Sequence, residues 1–579
     1  MKQWRIRNQQ IKHSPEENNC PTSWAEKLEI PPIIATLLWQ RGIRSLAEMD
    51  KFLSPGLRYL ENPKLWPGIY EAADILEKGI LKGNTVLVWG DYDVDGVTGS
   101  TLMYQVLSFH GVRTRVHLPD RRTEGYGLNI PMLEKMAEED DPANTILLTV
   151  DCGISDVAAI ARARELGFTT VISDHHLPPP ELPKAHAITN PKIGKNPCSH
   201  LAGVGVAFFL MAELNSRLSL HDGKKLDMRK VIDLVGMGTV ADMVPLVGQN
   251  RILVKNGLLS IADAHRPGLA ALKSVSGFSI AAKLNSGQIA YNLAPRINAA
   301  GRLGSPQLAH DLLRTDSDEE AMKLARELDT INLTRRSEEE KILMEALEQA
   351  ENFKDSPSLV LCGRDWHQGV VGIVASHILE KYNRPVLILC ADGDQLKGSG
   401  RSIEEFDLYS GLKRCSDLLL SFGGHRQAAG LRVNPLNLDN LRERFNNVVR
   451  EVLGEKPVTP ILNIDAELSF EQASDFCVVK GLELLEPFGV GNPQPIFMSP
   501  SLLVQKRRLF GHSHQHVSLE VTDLQSGITM QAKAWRLADR IPGSIVGKKI
   551  KLAFTPDINN FRGVSSIELN VKDWQLLDA

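Results

Sequence analysis

The sequence lacks paired cysteines and long apolar runs, and both absences narrow its class. Its seven cysteines are scattered without any Cys-x-x-Cys spacing, which excludes a zinc ribbon and a disulfide framework and indicates reduced thiols. The longest apolar stretch, Leu201–Ala212, is too short to span a bilayer, and the opening residues MKQWRIRNQQIKH contain no apolar core of a signal peptide. We therefore expect a cytoplasmic protein without membrane contact.

A strong excess of either charge is also missing. The formal net charge is −4 over 579 residues, so the whole chain is not a polycation that binds nucleic acid unspecifically. A local basic groove remains compatible with this balance, because acidic residues in a metal site would offset its charge. Internal repeats and low-complexity tracts are absent, and the length predicts about three or four domains.

Short apolar runs alternate with helical patterns in the first half of the chain. The predicted strands are Thr85–Trp89, Thr114–Leu118, Thr145–Val150 and Thr169–Ser173, and the predicted helices cover about Thr98 to His110, 201–216 and 229–240. Strands this rich in apolar and β-branched residues, separated by helices, predict a parallel sheet covered on both faces.

The second half begins with a long charged stretch, residues 318–352, which has apolar residues at helical spacing and no proline or glycine. We interpret it as a helix that connects two lobes, with a long surface helix as the alternative. A second α/β pattern follows, with strands Ser358–Cys362 and Val386–Cys390 around a helix near Val370–Tyr382. From about residue 460, short strand-like runs between turns are typical of a small β-barrel of the OB type.

These patterns predict an α/β fold with two lobes whose parallel sheets are joined by a long helix, and a C-terminal OB-type β-barrel. The predicted segments are a leader and helices at 1–80, the first α/β domain at 81–317, the connecting helix at 318–352, the second α/β domain at 353–455 and the barrel at 456–579.

An acidic turn follows the first predicted strand. Asp91, Asp93 and Asp95 are spaced by two between glycines, at a strand end where ligands gather in open α/β sheets, so their carboxylates can converge on one cation. An EF-hand loop begins with the same spacing, but Leu102 stands where its last glutamate belongs, and a strand leads in where a helix is required. A solvated acidic turn is the other alternative.

Three later segments add acids and imidazoles. Asp151 ends the run TILLTVD, Asp174-His175-His176 follows the run TTVIS, and Asp242 lies in GTVADMVP. A lone aspartate at a strand end is usually a helix cap, but several together favour a metal site. Carboxylates with imidazoles and no thiolate suit Mn²⁺ or Mg²⁺.

An acid that bridges two such ions would suit in-line displacement at phosphorus, since one ion generates hydroxide and both stabilise the developing charge. The residues themselves thus predict a metal-assisted hydrolase of phosphoesters.

The order of these motifs resembles that of the DHH phosphoesterases. GDYDVDG, VDCGIS, SDHH and GTVADMVPL are similar to motifs I to IV of that family. The segments PDR with EGYGL, LAGVGV and RINAAGRL narrow the resemblance to its single-strand-specific DNA exonucleases. In the second lobe, GRDWHQGVVGI, GSGRS and GGHRQAAG resemble the DHHA1 domain. The resemblance covers about residues 30–575 and leaves the residues before it without a match.

The resemblance implies a role for each matching residue at the metal site. The implied ligands are Asp93, Asp95, Asp151, His175 and Asp242. Asp151 would bridge two Mn²⁺ or Mg²⁺ ions, while Asp91 and Asp174 would support the ligands. His176 would face the scissile phosphate or protonate the leaving oxygen, with a supporting or core histidine as the alternative.

The resemblance also implies residues that bind the substrate. The implied contacts to the strand are Arg121, Arg296, Asn298 and Arg302, and the implied 5′-end pocket contains Ser399, Arg401, Ser402 and His425. The glycine-rich segment 398–402, interpreted as a turn, could cradle a phosphate with backbone N–H groups. Salt bridges within helices or loops are the alternative for the arginines.

In the barrel, basic and aromatic residues would grip single-stranded DNA. The candidates are Lys506, Arg507, Arg508, Phe510 and Trp535, for which a solvated face is the alternative. His512, His514 and His516 alternate as metal ligands can, but no acid lies nearby in sequence, so we expect no metal there.

The implied function is a metal-dependent 5′→3′ exonuclease that degrades single-stranded DNA to 5′-mononucleotides in recombination and repair. A helicase and a single-strand-binding protein are candidate partners, and a monomer is expected. One alternative is a DHH phosphodiesterase for short RNA oligomers or small nucleotides, which the barrel and the length disfavour. The other is a non-catalytic single-strand-binding subunit on a decayed core, which would have lost metal ligands that are all present here.

Overall fold

The structure, a computed structural model, describes residues 2–7, 20–121, 123–196, 198–454, 458–512, 514–561 and 563–577. Residues 8–19 of the predicted polar leader lie outside the described residues. Within the described ranges, no helix is both long enough and apolar enough to cross a membrane.

The N-terminal segment packs against the C-terminal region. It contains β1 (Gln3–Ile6), α1 (Thr22–Lys27), α2 (Pro32–Gln40) and α3 (Leu46–Leu53). Leu37 and Met49 share one core with Phe497 and Phe554, and β1 pairs in parallel with the strand Ile461–Ile464. We therefore propose that this segment belongs with the barrel and not with a separate leader domain.

The first lobe is built on a five-stranded sheet in which all neighbouring strands are parallel, as predicted. The strands are β2 (Thr85–Gly90), β3 (Thr114–His117), β4 (Thr145–Val150), β5 (Thr169–Ser173) and β6 (Ala187–Thr189), in the order β3-β2-β4-β5-β6. The helices are α4 (Ile69–Leu81), α5 (Val94–Phe109), α6 (Ile130–Glu139), α7 (Val157–Glu165), α8 (Gly203–Asp222), α9 (Ile232–Ala241), α10 (Gly248–Asp263), α11 (Pro267–Val275), α12 (Ser286–Gln288), α13 (Ala294–Leu303) and α14 (Gln307–Arg314). β4 is buried at every position, which explains its unbroken apolar run.

Helix α5 begins a full turn before its predicted start at Thr98. Asp93 caps the helix, because its Oδ1 accepts the backbone N–H groups of Asp95 and Gly96 at 2.9 and 3.1 Å. The acidic turn is therefore only three residues long, and Asp95 lies in the first turn of a buried helix.

A 34-residue helix, α15 (Asp318–Glu351), runs roughly 50 Å between the two lobes. Leu324 and Leu328 in its first half lie in the core of the first lobe, whereas Ile342 and Ala346 lie in the core of the second. The prediction of a connecting helix is confirmed, and the alternative of a surface helix is excluded.

The second lobe carries a five-stranded mixed sheet. Its elements are β7 (Leu359–Gly363), α16 (Val371–Tyr382), β8 (Val386–Asp392), β9 (Gln395–Arg401), α17 (Leu408–Lys413), β10 (Leu419–Gly424), β11 (Ala428–Val433) and α18 (Leu438–Leu453). The order is β10-β11-β9-β8-β7, and only β7 and β8 are parallel. The parallel arrangement predicted for both lobes thus holds fully for the first sheet and for one strand pair of the second.

The glycine-rich segment 398–402 is not the predicted turn. Its first four residues end strand β9, which is hydrogen-bonded to β8 on one side and to β11 on the other. Since the ladder uses the backbone N–H groups of the strand, a backbone phosphate cradle at this place is excluded. The glycines instead allow close packing, because a Cβ on Gly398 would lie 2.6 Å from the carbonyl oxygen of Ile388.

The C-terminal region is a closed barrel. Its elements are β12 (Ile461–Ile464), β13 (Ala466–Glu467), α19 (Phe470–Ala473), α20 (Phe476–Glu483), β14 (Phe497–Met498), β15 (Leu502–Phe510), β16 (His516–Asp523), β17 (Thr529–Ala534), β18 (Lys549–Phe561) and β19 (Val564–Leu576). The order β18-β15-β16-β17-β19 closes on itself because β19 pairs with β18 along its length. Five strands closed in this way form the predicted OB-type barrel.

One buried arginine fastens the barrel to the first lobe. Arg251, on α10, donates hydrogen bonds to the carbonyl oxygens of Phe52, Leu484, Leu485 and Glu486 at 2.9–3.2 Å. Its guanidinium also lies 3.6 Å from the centre of the Phe52 ring. These contacts join α10 of the first lobe to the end of α3 and to the segment that leads into the barrel.

Candidate metal centre and substrate cleft

Acids and imidazoles from separate parts of the chain meet at the carboxyl edge of the first sheet. Asp91 follows β2, Asp151 follows β4, and the Asp174–His176 segment follows β5, as expected for parallel strands that end at one edge. Asp242, at the end of α9, and Asp95, at the start of α5, complete the cluster.

His175 lies at the centre of this cluster. Its Nε2 is 3.1 Å from Oδ1 of Asp151, 3.5 Å from Oδ2 of Asp242 and 3.9 Å from Oδ2 of Asp95. The His175 Nε2, the Asp151 Oδ1 and the Asp242 Oδ2 are buried without a hydrogen-bond partner. Buried polar atoms are normally paired, so converging orphan atoms of this kind fit a cation that binds them together.

Two separate groups of ligand atoms can each hold an ion. One comprises Asp95, His175 and Asp242, and the other comprises Asp91, Asp93 and Asp151, with the ligand atoms of each group within 4.8 Å of one another. Asp151 also forms a third such group with His175 and His176. Asp151 therefore lies between the two sites, which supports its proposed bridging role.

Asp91 differs from its expected supporting role. It is 3% exposed, and its Oδ1 has no hydrogen-bond partner although its carboxylate lies in the second ligand group. A merely supporting carboxylate would hydrogen-bond a ligand. These features make Asp91 a candidate for a direct ligand beside the five predicted ones.

Backbone groups hold Asp95 in place. Its two carboxylate oxygens accept the N–H groups of Gly203 and Val204 at 2.7 and 2.8 Å, at the first turn of α8, where the helix dipole favours a negative charge. The Oδ1 of Asn298 accepts the N–H of Val94 at 3.2 Å and so fixes the start of α5. Asn298 thus positions the acidic turn, while its contact with the strand stays a prediction.

Asp151 adopts a backbone conformation that few side chains tolerate. Its φ is +61°, in the left-handed region, where a non-glycine residue at a functional site often stores strain. Helix α8 approaches it so closely that a Cβ on Gly203 would lie 2.7 Å from the Cβ of Asp151. Only a glycine at position 203 lets helix α8 lie close to both Asp95 and Asp151.

The buried carboxylates of the cluster lie so close together that a positive charge would stabilise them. Burial, with the charges of neighbouring aspartates, raises the pKa of Asp242 to about 9 and that of Asp95 to about 7, and raises the pKa of Asp151 well above its ordinary range. Burial lowers the pKa of His175 to about 3, which keeps its imidazole neutral as a ligand must be. A divalent cation would stabilise the carboxylates in their charged form.

Asp174 is the exception among these acids. Burial would raise its pKa, but a hydrogen bond from His176 and backbone N–H groups lower it overall. One oxygen accepts the N–H of Ile154 at 2.9 Å, and the other accepts the Nδ1 hydrogen of His176 at 2.8 Å and the N–H groups of residues 175 and 176. Asp174 is therefore bonded to both histidines, and these bonds support its predicted role of holding them in position.

His176 faces the solvent side of the site. Its side chain is 37% exposed, and its Nε2 lies 3.3 Å from the hydroxyl of Tyr126. Burial lowers the pKa of His176, but the bond to Asp174 raises it above the ordinary value overall. Sequence reasoning missed Tyr126, although it is the aromatic residue of the EGYGL segment.

A cavity of about 730 Å³ opens beside the metal site between the two lobes. Arg121 and Arg302 line it from the first lobe, and Ser399 and Arg401 line it from β9. The structure thus brings together four of the residues predicted to bind the strand or its 5′ end. Arg302 also crosses between the lobes, since it donates a hydrogen bond to the carbonyl oxygen of Gly369 at 2.8 Å.

Three predicted substrate contacts are placed elsewhere. Arg296 is 8% exposed and its guanidinium is bound to Asp329 and to two backbone carbonyl oxygens, so it is a structural residue, as the salt-bridge alternative stated. The Ser402 hydroxyl donates to the carbonyl oxygen of Phe406 at 2.9 Å and is buried. His425 lies exposed on the turn between β10 and β11, outside the lining of the cavity.

The barrel candidates also divide into two sets. The rings of Phe510, Trp535 and His516 pack in tilted and edge-to-face contacts at centroid distances of 4.9–5.2 Å, and Trp535 is half exposed. Arg508 lies exposed on the same strand, whereas Lys506 pairs with Glu520 at 2.9 Å. These four residues remain available at the surface.

Arg507 points to the other face of that strand, where it donates to the carbonyl oxygen of Ile541 at 2.9 Å, and this removes it from the set of DNA contacts. His516 accepts the N–H of Arg536 at Nδ1, and among the described residues no ligand cluster includes 512, 514 or 516.

Comparison with known proteins gives matches along almost the whole chain. Residues 85–239 match the family model for the DHH family, N-terminal domain, residues 355–451 match the DHHA1 domain, and residues 464–573 match the RecJ OB domain. The single-stranded-DNA-specific exonuclease RecJ of Dickeya dadantii is 36% identical over 94% of this chain and 96% of its own length. That of Bacillus subtilis is 33% identical over 96% of this chain and 70% of its own length.

Solved structures agree with these matches. The crystal structure of RecJ in complex with Mn²⁺ from Thermus thermophilus covers all of this chain and 80% of its own, with a TM-score of 0.81 and 30% identity. The structure of the same protein with Mg²⁺ gives a TM-score of 0.75 over all of this chain and 79% of its own, with 28% identity. A match to a RecJ-type barrel in addition to both lobes speaks against the short-oligonucleotide phosphodiesterase alternative.

Proposed function

Because this chain belongs to the RecJ family of single-stranded-DNA-specific exonucleases, we propose that it removes nucleotides one at a time from the 5′ end of single-stranded DNA. It is a metal-dependent nuclease of the DHH type that acts on single-stranded DNA. The observation that carries the proposal is the set of unpaired acidic and imidazole atoms at the carboxyl edge of the first sheet, beside a cationic cavity.

We propose as metal ligands the five residues predicted from the sequence together with Asp91. When bound there, Mn²⁺ or Mg²⁺ would supply an activated water and positive charge for the developing phosphorane. Asp151 is the proposed shared ligand, because its atoms belong to more than one ligand group. The left-handed backbone of Asp151 and the helix α8 behind Asp95 hold these carboxylates ready, so little reorganisation would accompany metal binding.

His176 is the proposed proton donor to the leaving O3′ oxygen. Asp174 accepts the hydrogen on Nδ1, which stabilises the imidazolium and points Nε2 to the open side of the site. Tyr126, within 3.3 Å of Nε2, would orient the ring before substrate arrives. The bond between O3′ and phosphorus would break as O3′ takes the proton, and a 5′-mononucleotide would leave.

The polarity of degradation would come from the cavity between the lobes. Arg121, Arg302 and Arg401 can form charge-assisted, bidentate hydrogen bonds with a phosphate, and the Ser399 hydroxyl lies 2.9 Å from Nη1 of Arg401. A 5′-phosphate anchored there would leave the next phosphate of the strand at the metal centre. We propose the remaining surface residues Lys506, Arg508, Phe510 and Trp535 of the barrel as a gripping surface for the strand farther along, through stacking and charge.

The cellular setting is also proposed. An enzyme restricted to single strands depends on another activity to open a duplex, so a helicase and a single-strand-binding protein are the proposed partners in recombination and repair. We place the enzyme in the cytoplasm, where its DNA substrate lies and where its seven free cysteines stay reduced. A monomer is proposed, which light scattering of the purified chain would check.

The proposal is tested with two single-stranded DNA oligomers, one labelled at the 5′ end and one at the 3′ end, in Mn²⁺, in Mg²⁺ and in EDTA. Labelled mononucleotide should appear at once from the 5′ label, only with metal, and not with the Asp151→Ala variant. Immediate release from the 3′ label would reverse the proposed polarity. Turnover of dinucleotides or short RNA without cleavage of long DNA would assign the chain to the short-oligonucleotide phosphodiesterases.

A further inference from the structure

The cationic cavity extends beyond the proposed 5′-phosphate pocket. Along β9, exposure alternates, so Lys397, Ser399 and Arg401 share one face of the strand while the residues between them are buried. Arg432 on β11 is the register partner of Lys397 and lines the same cavity. Lys397 and Arg432 therefore lie one strand repeat outward from Ser399, roughly 7 Å along β9. We call these two residues the outer cluster.

The charge of the cavity exceeds what a single phosphate needs. The described residues that line it include five cations and no carboxylate. A terminal phosphate monoester carries at most two negative charges, and three arginines already surround the inner end of the cavity. The outer cluster is thus unexplained by a 5′-monophosphate.

Neighbouring side chains orient the two cations of the outer cluster. The Lys397 Nζ lies 2.9 Å from the Oε1 of Gln368, a neutral partner that orients the ammonium and leaves its charge uncompensated. Arg432 pairs with Asp392 at 3.0 Å, and the two side chains are 40% and 32% exposed, so water screens this pair. Asp392 itself does not line the cavity.

We propose that the outer cluster binds the β- and γ-phosphates of a 5′-triphosphorylated strand, whose α-phosphate occupies the inner pocket formed by Arg121, Arg302 and Arg401. Such an end is present on any strand that was started without a primer. The inference rests on the proposed 5′→3′ exonuclease function and extends its substrates to strands that still carry the triphosphate of their first nucleotide.

The chemistry of the first turnover follows from this placement. Water attacks the phosphorus that links the first two nucleotides, the bond from that phosphorus to O3′ of the first nucleotide breaks, and O3′ takes a proton. The first product is therefore a nucleoside 5′-triphosphate. The shortened strand keeps a 5′-monophosphate, so every later product is a monophosphate.

The test uses three DNA oligomers of one sequence that differ only in a 5′-hydroxyl, 5′-monophosphate or 5′-triphosphate end. The full chain with Mn²⁺ should degrade the triphosphate oligomer with a KM no higher than that for the monophosphate, and chromatography should show a nucleoside triphosphate as its first product. The double variant K397Q/R432Q should raise KM for the triphosphate oligomer by about tenfold or more, because each lost cation removes a charge-assisted hydrogen bond. Its KM for the monophosphate should stay within about twofold.

The matched control is K413Q/R414Q, which removes the same charge from the exposed C-terminal end of α17 in the same lobe, away from the cavity, and should leave both KM values unchanged. An inert triphosphate oligomer, a monophosphate as its first product, or equal effects of the outer-cluster variant on both oligomers would overturn the inference. If the monophosphate oligomer were not degraded from its 5′ end by the unmodified chain, the proposed function would fail instead.

Discussion

Oδ1 of Asp151 lies 3.1 Å from Nε2 of His175, and neither atom makes a hydrogen bond within the protein. The two residues follow different strands, β4 and β5, and both are buried. Two buried polar atoms that lie this close together without a hydrogen bond fit a cation that both of them bind. The two adjacent histidines therefore differ in their surroundings: His175 faces the carboxylates, whereas His176 faces the cleft.

The first prediction compares His175→Ala with His176→Ala. The His175 variant should lose Mn²⁺ affinity by at least about 100-fold, since it removes a central ligand. The His176 variant should bind Mn²⁺ within about threefold of the unmodified chain, but its kcat should fall by roughly 10²–10⁴ through loss of the proton donor. Calorimetric titration with Mn²⁺ and single-strand degradation measure the two effects, and a His176 variant that fails to bind metal would contradict the assignment.

The second prediction concerns the glycine behind Asp151. Gly203→Ala would place a Cβ 2.7 Å from the Cβ of Asp151 and push α8 away from Asp95, so Mn²⁺ affinity and kcat should both fall at least about tenfold. Gly205→Ala, two residues along the same helix, meets its nearest atom, on Leu201, at 3.4 Å and serves as the control. Equal effects of the two substitutions on metal binding would show that helix propensity, and not the approach to Asp151, is responsible.

The third prediction concerns the buried arginine between the first lobe and the barrel. Arg251→Met should destabilise the protein by about 3 kcal/mol, because four carbonyl oxygens each lose a guanidinium hydrogen bond. The oxygens of Leu485 and Glu486 keep donors in Asn492 and Lys255, whereas those of Phe52 and Leu484 depend on Arg251 for their side-chain donor. Limited proteolysis should then cut near residues 484–486 faster, and urea unfolding should begin earlier. Arg229→Met removes an exposed arginine that pairs with Asp227, and it should change neither measurement. An unaltered proteolysis pattern in the Arg251 variant would show that the barrel is held by its apolar contacts alone.

The fourth prediction concerns pH. Burial lowers the pKa of His310 from an ordinary 6.5 to about 4, and its Nδ1 lies 2.9 Å from the hydroxyl of Thr101. Below pH 6.5 the unfolded chain binds a proton that the folded chain rejects, so stability falls as pH drops from about 6.5 to 4. His310 should account for a loss of roughly 2 kcal/mol between pH 7.5 and 5.

The His310 effect is measured by urea unfolding at both pH values with His310→Gln, whose stability should depend less on pH by that amount. His265→Gln, an exposed histidine of the same lobe, is the control and should retain the full dependence. If both variants keep the full dependence, another group is responsible for the loss in acid.

Much of the fold could be read from local patterns. The apolar runs of β2, β4 and β5, the helical spacing of α15 and the alternation of the barrel strands are set by side chains within a few residues of one another. Part of the candidate metal site could be found for the same reason, because parallel strands end at one edge and Asp91, Asp151 and Asp174 follow directly after them. The start of α5 was misplaced because the capping role of Asp93 depends on the direction of its side chain.

The sequence could not show which partner, far away along the chain, each side chain contacts in the folded protein. Arg296 and Arg302 lie in one motif, yet Arg296 is bound to Asp329 and backbone carbonyl oxygens while Arg302 lines the cleft. Asp91 was expected to support the ligands, and the proposal that it is a direct ligand depends on its unpaired Oδ1 and its place beside Asp93 and Asp151 in space.

The outer cluster likewise exists because the register of two antiparallel strands sets Lys397 beside Arg432. Local sequence thus decides which residues can bind metal or phosphate, because that depends on their chemistry and their place in a strand or helix. Tertiary packing decides which of them do, because an ion or a phosphate is held by groups that converge in space with their lone pairs or N–H groups unused.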